Sequence, residues 1–408
     1  MPTSTDARGA DAGPLAGVTV LELSSMYAAP TCGRMLRDFG ADVIKVEDPA
    51  SGDFARQWTP FKNGLSLGFS RLNSGKRSLG IDLRRDEGRN LVRQIAGQVD
   101  VVLESFRPGR MEEWGLDYAS LSANNPGLVM TRVSGFGQTG PYSARPGFGT
   151  VAETSSGYAY INGWPDTPPT SPPFGFADSI AGISAAFGTS MALFNRSRTG
   201  MGDVVDVALY EPLMFIIGDI ILNWTGNQVI QERVGNGTGS ASPRGIFQAQ
   251  DGKWLSIAAS SQTIAVRLFE AMGRPDIIED PRYATNAARM EHNDDMQAIV
   301  SEWVATQPRA EILTILDAND VVAAAVNDAR DITEDAHFLE RTLVQITDNP
   351  ALGRVMMPGP ILHVSSFSGP EYVGVPEIGE HTEEVLERFL GMSKTEITAL
   401  AAEKIVTG

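Results

Sequence analysis

The chain of 408 residues carries 33 basic and 50 acidic side chains, which gives it a net charge of −17 near neutral pH. This excess of negative charge argues against nucleic acid or an anionic membrane surface as a partner. Hydrophobic residues make up 42% of the chain and charged residues 20%, as is usual for a globular protein with a large core. The single cysteine, Cys32, excludes an internal disulfide and favours a reducing, cytoplasmic environment.

The amino terminus is polar and lacks the apolar stretch of a signal peptide, so we expect a disordered tail over residues 1–13. The longest apolar runs lie at 180–194 and 213–224. Both are shorter than the roughly 20 residues that span a bilayer. The sequence therefore predicts no membrane-spanning segment.

From residue 18 onward, apolar runs alternate with amphipathic stretches in a βαβ rhythm. The predicted elements, in chain order, are strand 18–23, helix 30–40, strand 42–47, strand 78–83, helix 86–98, strand 99–105, helix 109–115 and strand 127–135. Strands separated by helices indicate a doubly wound parallel sheet, in which ligands bind beyond the carboxyl ends of the strands.

The second half of the chain is rich in Pro and Gly over 141–177, and Asp178 then opens a helix. A further helical stretch is predicted at about 207–224, and a hairpin turns at an Asp-Gly pair within 245–260. Taken together, the pattern predicts an α/β protein with a Rossmann-like large domain and a smaller α/β domain. The predicted parts are a large domain at 14–205, a linker helix at 206–224, a small domain at 225–333 and a return segment at 334–408.

Familiar catalytic motifs are missing from the sequence, including glycine-rich nucleotide loops and the HExxH and GxSxG patterns. The four histidines are scattered without the spacing of metal ligands, so no metal site is predicted. Basic residues at predicted strand ends, namely Lys45, Lys76, Arg77, Arg107 and Arg110, suggest a crevice for a polyanion such as a nucleotide. Taken singly, each of them is more often a solvated surface charge, so these residues alone do not establish an anion site.

Asp178, in the stretch "GFADSIAGISAAFG", has two interpretations. Aspartate is a favoured residue at a helix N-cap. The small residues after it would also let a slender ligand approach its carboxylate closely. The residues alone leave capping and catalysis open.

Seven strings carry a resemblance to a known family. They are "PLAGVTVLELSSMYAAPTCGRMLRDFGADVIKVEDPASGD", "NSGKRSLGIDL", "VLESFRPGRMEEWGL", "RVSGFGQTGPYSARPGFG", "ADSIAG", "RSRTGMGDVVDVALYEPL" and "GEHTEEVL". In this order they resemble the family III CoA-transferases, which include formyl-CoA transferase and carnitine CoA-transferase. The resemblance extends over about 14–390.

The resemblance implies an enzyme that moves CoA from an acyl-CoA to a carboxylic acid, with Asp178 as the nucleophile. A mixed anhydride and an aspartyl-CoA thioester would be the intermediates. CoA and acyl-CoA would be substrates, with no tightly bound cofactor and an interlocked homodimer as the assembly. The implied CoA-binding positions are Met26, Ala28, Leu72, Lys76, Arg77, Ser105, Phe106 and Arg107.

Departures from the family pattern leave the donor and the acceptor undetermined. Gly149 replaces a common aspartate and Glu153 a common glutamine, both near the expected substrate region.

Two other functions stay open. An α-methylacyl-CoA racemase would need a histidine where Phe148 stands, since phenylalanine cannot relay a proton. A non-catalytic acyl-CoA-binding protein would need no nucleophile at Asp178.

Overall fold

The computed structural model describes residues 13–237, 239–346, 349 and 352–407. The predicted tail at 1–13 therefore lies, apart from Gly13, outside the described residues. The chain divides into two compact units. The first unit comprises the chain up to Tyr158, Ser171–Ile221 and the chain from Ala336 onward, and the second comprises Ala159–Thr170 and Leu222–Asp335.

The secondary structure follows the chain in this order. The strands are β1 Thr19–Leu23, β2 Asp42–Glu47, β3 Phe61–Lys62, β4 Leu65–Ser66, β5 Arg77–Gly80, β6 Val101–Glu104, β7 Val129–Ser134, β8 Val204–Ala208, β9 Arg244–Gln248, β10 Trp254–Ala258, β11 Ala323–Ala325, β12 Leu343–Ile346 and β13 Val355–Pro358. The helices are α1 Ala28–Asp38, α2 Leu67–Asn73, α3 Asp86–Ala96, α4 Arg110–Glu113, α5 Tyr118–Ser122, α6 Gly149–Ser155, α7 Tyr158–Ile161, α8 Phe176–Thr199, α9 Glu211–Ile216, α10 Asp219–Asn227, α11 Gln262–Ala271, α12 Asp276–Glu279, α13 Asn286–Glu291, α14 Asn293–Val304, α15 Arg309–Ala318, α16 Ala329–Glu334, α17 Ala336–Arg341, α18 Thr382–Leu390 and α19 Lys394–Ala402.

The first unit is built on a six-stranded sheet in the order β5-β2-β1-β6-β7-β8. All neighbouring strands in it pair in parallel. Counted along the chain within this sheet, the order is third, second, first, fourth, fifth, sixth, which is the doubly wound Rossmann order. The predicted fold class is thereby confirmed. The strand order reverses between β1 and β6, where such folds open a crevice.

Two apolar cores cover the two faces of this sheet. Alternate strand residues point to opposite faces, so Val20 joins one core while Leu21 joins the other. The core around Val20 includes α1 and α8, which pack closely because Gly182 presents no side chain. A Cβ at Gly182 would lie 2.6 Å from Thr31 Cβ. This close packing anchors the helix that carries Asp178.

The second unit has its own antiparallel sheet in the order β11-β10-β9. β9 and β10 form the hairpin predicted from the Asp-Gly pair, with Leu255 opposite Phe247. Both of these residues belong to a core that helices α11, α14 and α15 complete. The predicted smaller α/β domain is thus observed as an α/β unit.

One predicted element differs from the structure. The helix predicted at about 207–224 is observed as two helices, α9 and α10, and its first two residues belong to strand β8. The β-branched run "VVDVA" of β8 extends the parallel sheet beside β7. The apolar run at 180–194 lies within α8, a 24-residue helix that is long and apolar enough to cross a membrane. That helix packs against β7, β8 and α1 as part of the core of the first unit.

Candidate active site

A cavity of about 760 Å³ opens at the carboxyl ends of β1, β6 and β7. Its walls include Met26 after β1, Phe106 after β6 and Gly135 after β7. This is the crevice at which the strand order reverses, so the cavity lies where doubly wound sheets bind ligands. The segments that lead into α6 and α8 complete the wall and bring Asp178 to it.

Asp178 lies in the first turn of α8 and is not its cap. The helix begins at Phe176, its N-cap residue is Gly175, and no side chain caps it. The capping interpretation of Asp178 is therefore wrong, because "FA" already belongs to the helix. The carboxylate is half-buried and faces the cavity.

Two glycines leave room for the carboxylate. A Cβ at Gly149 would collide with Asp178 Oδ2, and a Cβ at Gly175 would lie 3.1 Å from the same oxygen. Gly149 thus places bare backbone against the Asp178 carboxylate. A larger residue at either position would displace it.

Glu153 of α6 is a second acid in the cavity wall, and it is only 2% exposed. Its Oε1 accepts a hydrogen bond from the backbone N–H of Ala177, 3.3 Å away. Burial and the nearby Glu153 charge raise the pKa of Asp178 to about 6. Both causes disfavour the charged form of Asp178.

Two arginines, Arg107 and Arg145, are the cations of the cavity wall. Both are exposed, and neither forms an ion pair within the part of the chain that the structure describes. The Arg145 guanidinium stacks 3.6 Å from the centroid of the Tyr142 ring, which packs edge-on against Phe136. The cavity therefore combines an acidic centre with cations suited to anionic ligand groups.

Several predicted site residues meet in this cavity. Its wall includes Met26, Ala28, Ser105, Phe106, Arg107 and Asp178. Met26 has a left-handed φ of 74°, and its backbone N–H donates to Asp53 Oδ1 over 3.0 Å. The loop after β1 is thus fixed by a buried carboxylate.

Leu72, Lys76 and Arg77 are not brought to this cavity. Leu72 is a core residue. Lys76 and Arg77 line a separate depression of about 800 Å³. Lys76 directly precedes β5 and Arg77 is its first residue, and the amino end of a parallel strand lies at the edge of the sheet opposite its carboxyl end. Their contact with CoA stays a prediction.

Lys76 is instead part of a buried ionic cluster. Its Nζ lies 2.7 Å from Glu22 Oε2, and Lys45 Nζ lies 2.9 Å from Glu22 Oε1 and 2.8 Å from Asp53 Oδ2. All four side chains are at least 98% buried. The expected gathering of Lys45 and Lys76 with Arg107 around one crevice is therefore wrong, because burial requires both lysines to be neutralised internally.

Other candidate groups have structural surroundings. Burial raises the pKa of Cys32 to about 12, which removes its thiolate at neutral pH. His381 is the N-cap residue of α18, and its Nδ1 accepts from the Ser78 backbone N–H over 3.2 Å. Among the described residues, no three His, Cys, Asp or Glu side chains form a group that would hold a metal ion.

Arg145 is the site residue that sequence reasoning missed. It lies four residues before Gly149 in "ARPGFG", and only the quoted family string contained it. The signal that would have found it is a lone cation in the Pro/Gly-rich segment just before Asp178. Such segments place charged side chains without the regular spacing that reveals a helix face.

The chain is similar to proteins of a known enzyme family. Residues 15–382 match the family described as CoA-transferase family III. The chain is 39% identical to the succinyl-CoA–D-citramalate CoA-transferase of Chloroflexus aurantiacus over 96% of this chain and 98% of that one. It is 31% identical to the succinyl-CoA:glutarate CoA-transferase of Mus musculus, over 96% and 90% respectively. A CaiB/BaiF family crystal structure from Brucella suis superposes with a TM-score of 0.82 at 31% identity, covering 93% of this chain and 100% of that one.

Proposed function

The chain belongs to CoA-transferase family III and is a CoA-transferase, and we propose that Asp178 is the nucleophile of its transfer reaction. The observation that carries this proposal is the position of the Asp178 carboxylate, in the cavity at the strand-order reversal and against the bare backbone of Gly149. A carboxylate is already an anion at neutral pH. It therefore needs no general base to attack a thioester.

The proposed reaction proceeds by four acyl exchanges. An Asp178 oxygen attacks the donor thioester carbonyl, the C–S bond breaks, and a mixed anhydride and CoA thiolate form. The thiolate attacks the Asp178 carbonyl and releases the donor acid, which leaves an aspartyl-CoA thioester. The acceptor carboxylate then displaces CoA thiolate from Asp178 as a second anhydride, and the thiolate attacks the acceptor carbonyl. The Asp178 carboxylate is regenerated without net transfer of protons or electrons.

The proposed donor is succinyl-CoA, and the proposed acceptor is a dicarboxylic acid of similar size. Support comes from the relatives, which are named for succinyl-CoA with D-citramalate or glutarate. A dicarboxylic acid keeps one free carboxylate after the other is joined to CoA. Arg145, in the same segment as Gly149 and without a carboxylate partner among the described residues, has the charge to bind that group.

CoA is proposed to lie along the loops after β1 and β6, against Met26, Ala28, Ser105 and Phe106. Arg107 would contact its phosphates. The exposure of Arg107 and the location of these loops at the carboxyl edge of the sheet support the placement. A location in the cytoplasm, where Cys32 stays reduced, completes the proposal.

A homodimer is the proposed assembly. Two large apolar side chains of α8 are exposed, Phe187 at 69% and Phe194 at 60%. Phe215 of α9 is 89% exposed. Contiguous apolar patches on a protein surface commonly mark sites of protein–protein contact. A second copy of the chain would cover them, as the resemblance to dimeric family members implies.

The racemase alternative receives no support from the cavity. Phe148 lines its wall and carries no group that exchanges a proton. If the chain were a non-catalytic acyl-CoA-binding protein, loss of the Asp178 carboxylate would not change turnover.

Replacement of Asp178 by Ala or Asn is the experiment that separates these functions. We expect transfer of CoA from succinyl-CoA to glutarate to fall by about 10³-fold or more, and retention of wild-type transfer would contradict the proposal.

A further inference from the structure

Glu153 is an unusual neighbour for a catalytic carboxylate. It lies on α6, which packs against α8, and it shares the cavity wall with Asp178 although it is almost completely buried. Its hydrogen bond from the Ala177 N–H ties it to the residue directly before Asp178. Among the described residues, no cation forms an ion pair with this buried acid. Its presence beside Asp178 therefore requires an explanation.

We infer that Glu153 is a positioning residue that acts through Asp178: it fixes the first turn of α8, and its charge favours every state in which Asp178 is neutral. This inference rests on the proposed role of Asp178 as the nucleophile. It goes further because Glu153, which does not itself react, would lower the free energy of the covalent intermediates relative to the free Asp178 carboxylate.

Acylation and protonation of Asp178 remove the same negative charge. Two nearby carboxylates in a partly desolvated cavity repel each other. The repulsion from the Asp178 charge ends when Asp178 becomes an anhydride or a thioester. The negative charge moves to the CoA thiolate when the anhydride forms, and it leaves with the donor acid when the thioester forms. The same repulsion contributes to the raised pKa of Asp178. Glu153 should therefore favour the aspartyl-CoA thioester and the protonated acid by the same factor.

The other charged groups around Asp178 do not take this role. The titratable side chains that share the cavity wall are Tyr27, Arg107 and Arg145. On α1, which packs against α8, Arg34 and Arg37 both pair with Asp38. On β7, Arg132 pairs with Glu104 and Glu112. Asp206 of β8 accepts a hydrogen bond from the Gln138 backbone N–H, and Glu211 of α9 is exposed. Glu153 is the charged neighbour that shifts the Asp178 pKa.

The test compares Glu153→Gln with wild type in two measurements. The amide oxygen of Gln keeps an acceptor for the Ala177 N–H, so E153Q removes the charge and little else. The first measurement is the acid limb of the pH dependence of kcat/KM, which reports the free enzyme. The second is the equilibrium fraction of aspartyl-CoA adduct after incubation with succinyl-CoA at fixed succinate, captured by borohydride and measured by peptide mass.

We expect E153Q to shift the acid limb to lower pH and to reduce the adduct-to-free-enzyme ratio by the same factor, tenfold for each pH unit. Glu153→Asp, which retains a charge, should shift the limb less than E153Q does. Glu211→Gln removes a charge from α9 outside the cavity and should leave both measurements unchanged. Should E153Q not fold by circular dichroism, Glu153→Ala takes its place with the same expectation for the limb.

The possible failures are distinguishable. If wild type forms its adduct at Asp178 and the charge-removing variant leaves the acid limb and the adduct ratio unchanged, the role of Glu153 is refuted while the nucleophile stands. If the limb and the ratio move in opposite directions, the shared-charge argument is refuted. If wild-type adduct forms at a residue other than Asp178, or not at all, the proposed function itself is contradicted.

Discussion

The Oδ2 atom of Asp178 lies so close to the Cα of Gly149 that no side chain fits between them. We therefore predict that Gly149→Ala displaces the carboxylate and lowers kcat by about 10²-fold, the cost of an error of roughly 1 Å in a reacting group. Steady-state kinetics with succinyl-CoA checks this. Gly226→Ala is the matched control, since a Cβ at Gly226 meets open space. Unchanged kcat in G149A would show that the carboxylate tolerates displacement.

The raised pKa of Asp178, about 6, predicts the acid dependence of transfer. The attacking form is the anion, so kcat/KM should be constant above pH 7 and fall as the pH decreases through about 6. An aspartate with an unperturbed pKa near 3.8 would keep full activity down to about pH 5. A pH–rate profile with substrates that do not titrate in this range decides between the two.

The same pKa predicts an effect on stability. Because the folded-state pKa is raised, the fold is least favourable above pH 6, where Asp178 is charged, and it gains stability as the pH falls from 6 towards 4. Asp178→Asn removes the charge and should raise the free energy of unfolding at pH 7 by up to about 3 kcal/mol, at about 1.4 kcal/mol for each unit of pKa shift. Denaturant unfolding at pH 7 and pH 4.5 checks this, since the gain should shrink at the lower pH. A less stable D178N at pH 7 would contradict the origin of the shift.

The two cavity arginines are predicted to bind different parts of the substrates: Arg145 the free carboxylate of a dicarboxylic acid, and Arg107 the CoA portion. Arg145→Gln should raise KM for glutarate by about 10- to 100-fold, the range of a lost charge-assisted hydrogen bond, and leave KM for a monocarboxylic acid unchanged. Arg107→Gln should raise KM for acyl-CoA whatever the acyl group. Each variant serves as the control for the other. Equal losses for monocarboxylic and dicarboxylic acids in R145Q would contradict the assignment.

The buried pair of Lys76 and Glu22 predicts a structural cost. Lys76→Met leaves Glu22 with one of its two lysines, and breaking such a pair costs about 3–5 kcal/mol. Arg77→Gln, which loses only partly exposed ion pairs, should cost no more than about 1 kcal/mol. Urea unfolding measures both. A K76M enzyme of wild-type stability with a raised KM for acyl-CoA would instead support the predicted CoA contact.

Much of the fold was predictable from sequence because buried parallel strands read as unbroken apolar runs. β1 and β2 lie within one residue of their predicted bounds at 18–23 and 42–47. The edge strand β8 was not predicted, because the half-exposed sequence "VVDVA" does not show that it pairs with another strand. In the site, the loops after β1 and β6 follow from topology. The burial of Lys76 and the bond between Glu153 and Ala177 depend on tertiary packing, which local sequence does not specify.

The measurement that tests the central claim most directly is the mass of the peptide containing Asp178 after incubation with succinyl-CoA and reduction by borohydride. We predict that Asp178 is recovered as homoserine, the alcohol formed from its acyl group, and that omission of the thioester leaves aspartate. Reduction of a different side chain, with Asp178 recovered intact while the enzyme turns over, would contradict the claim.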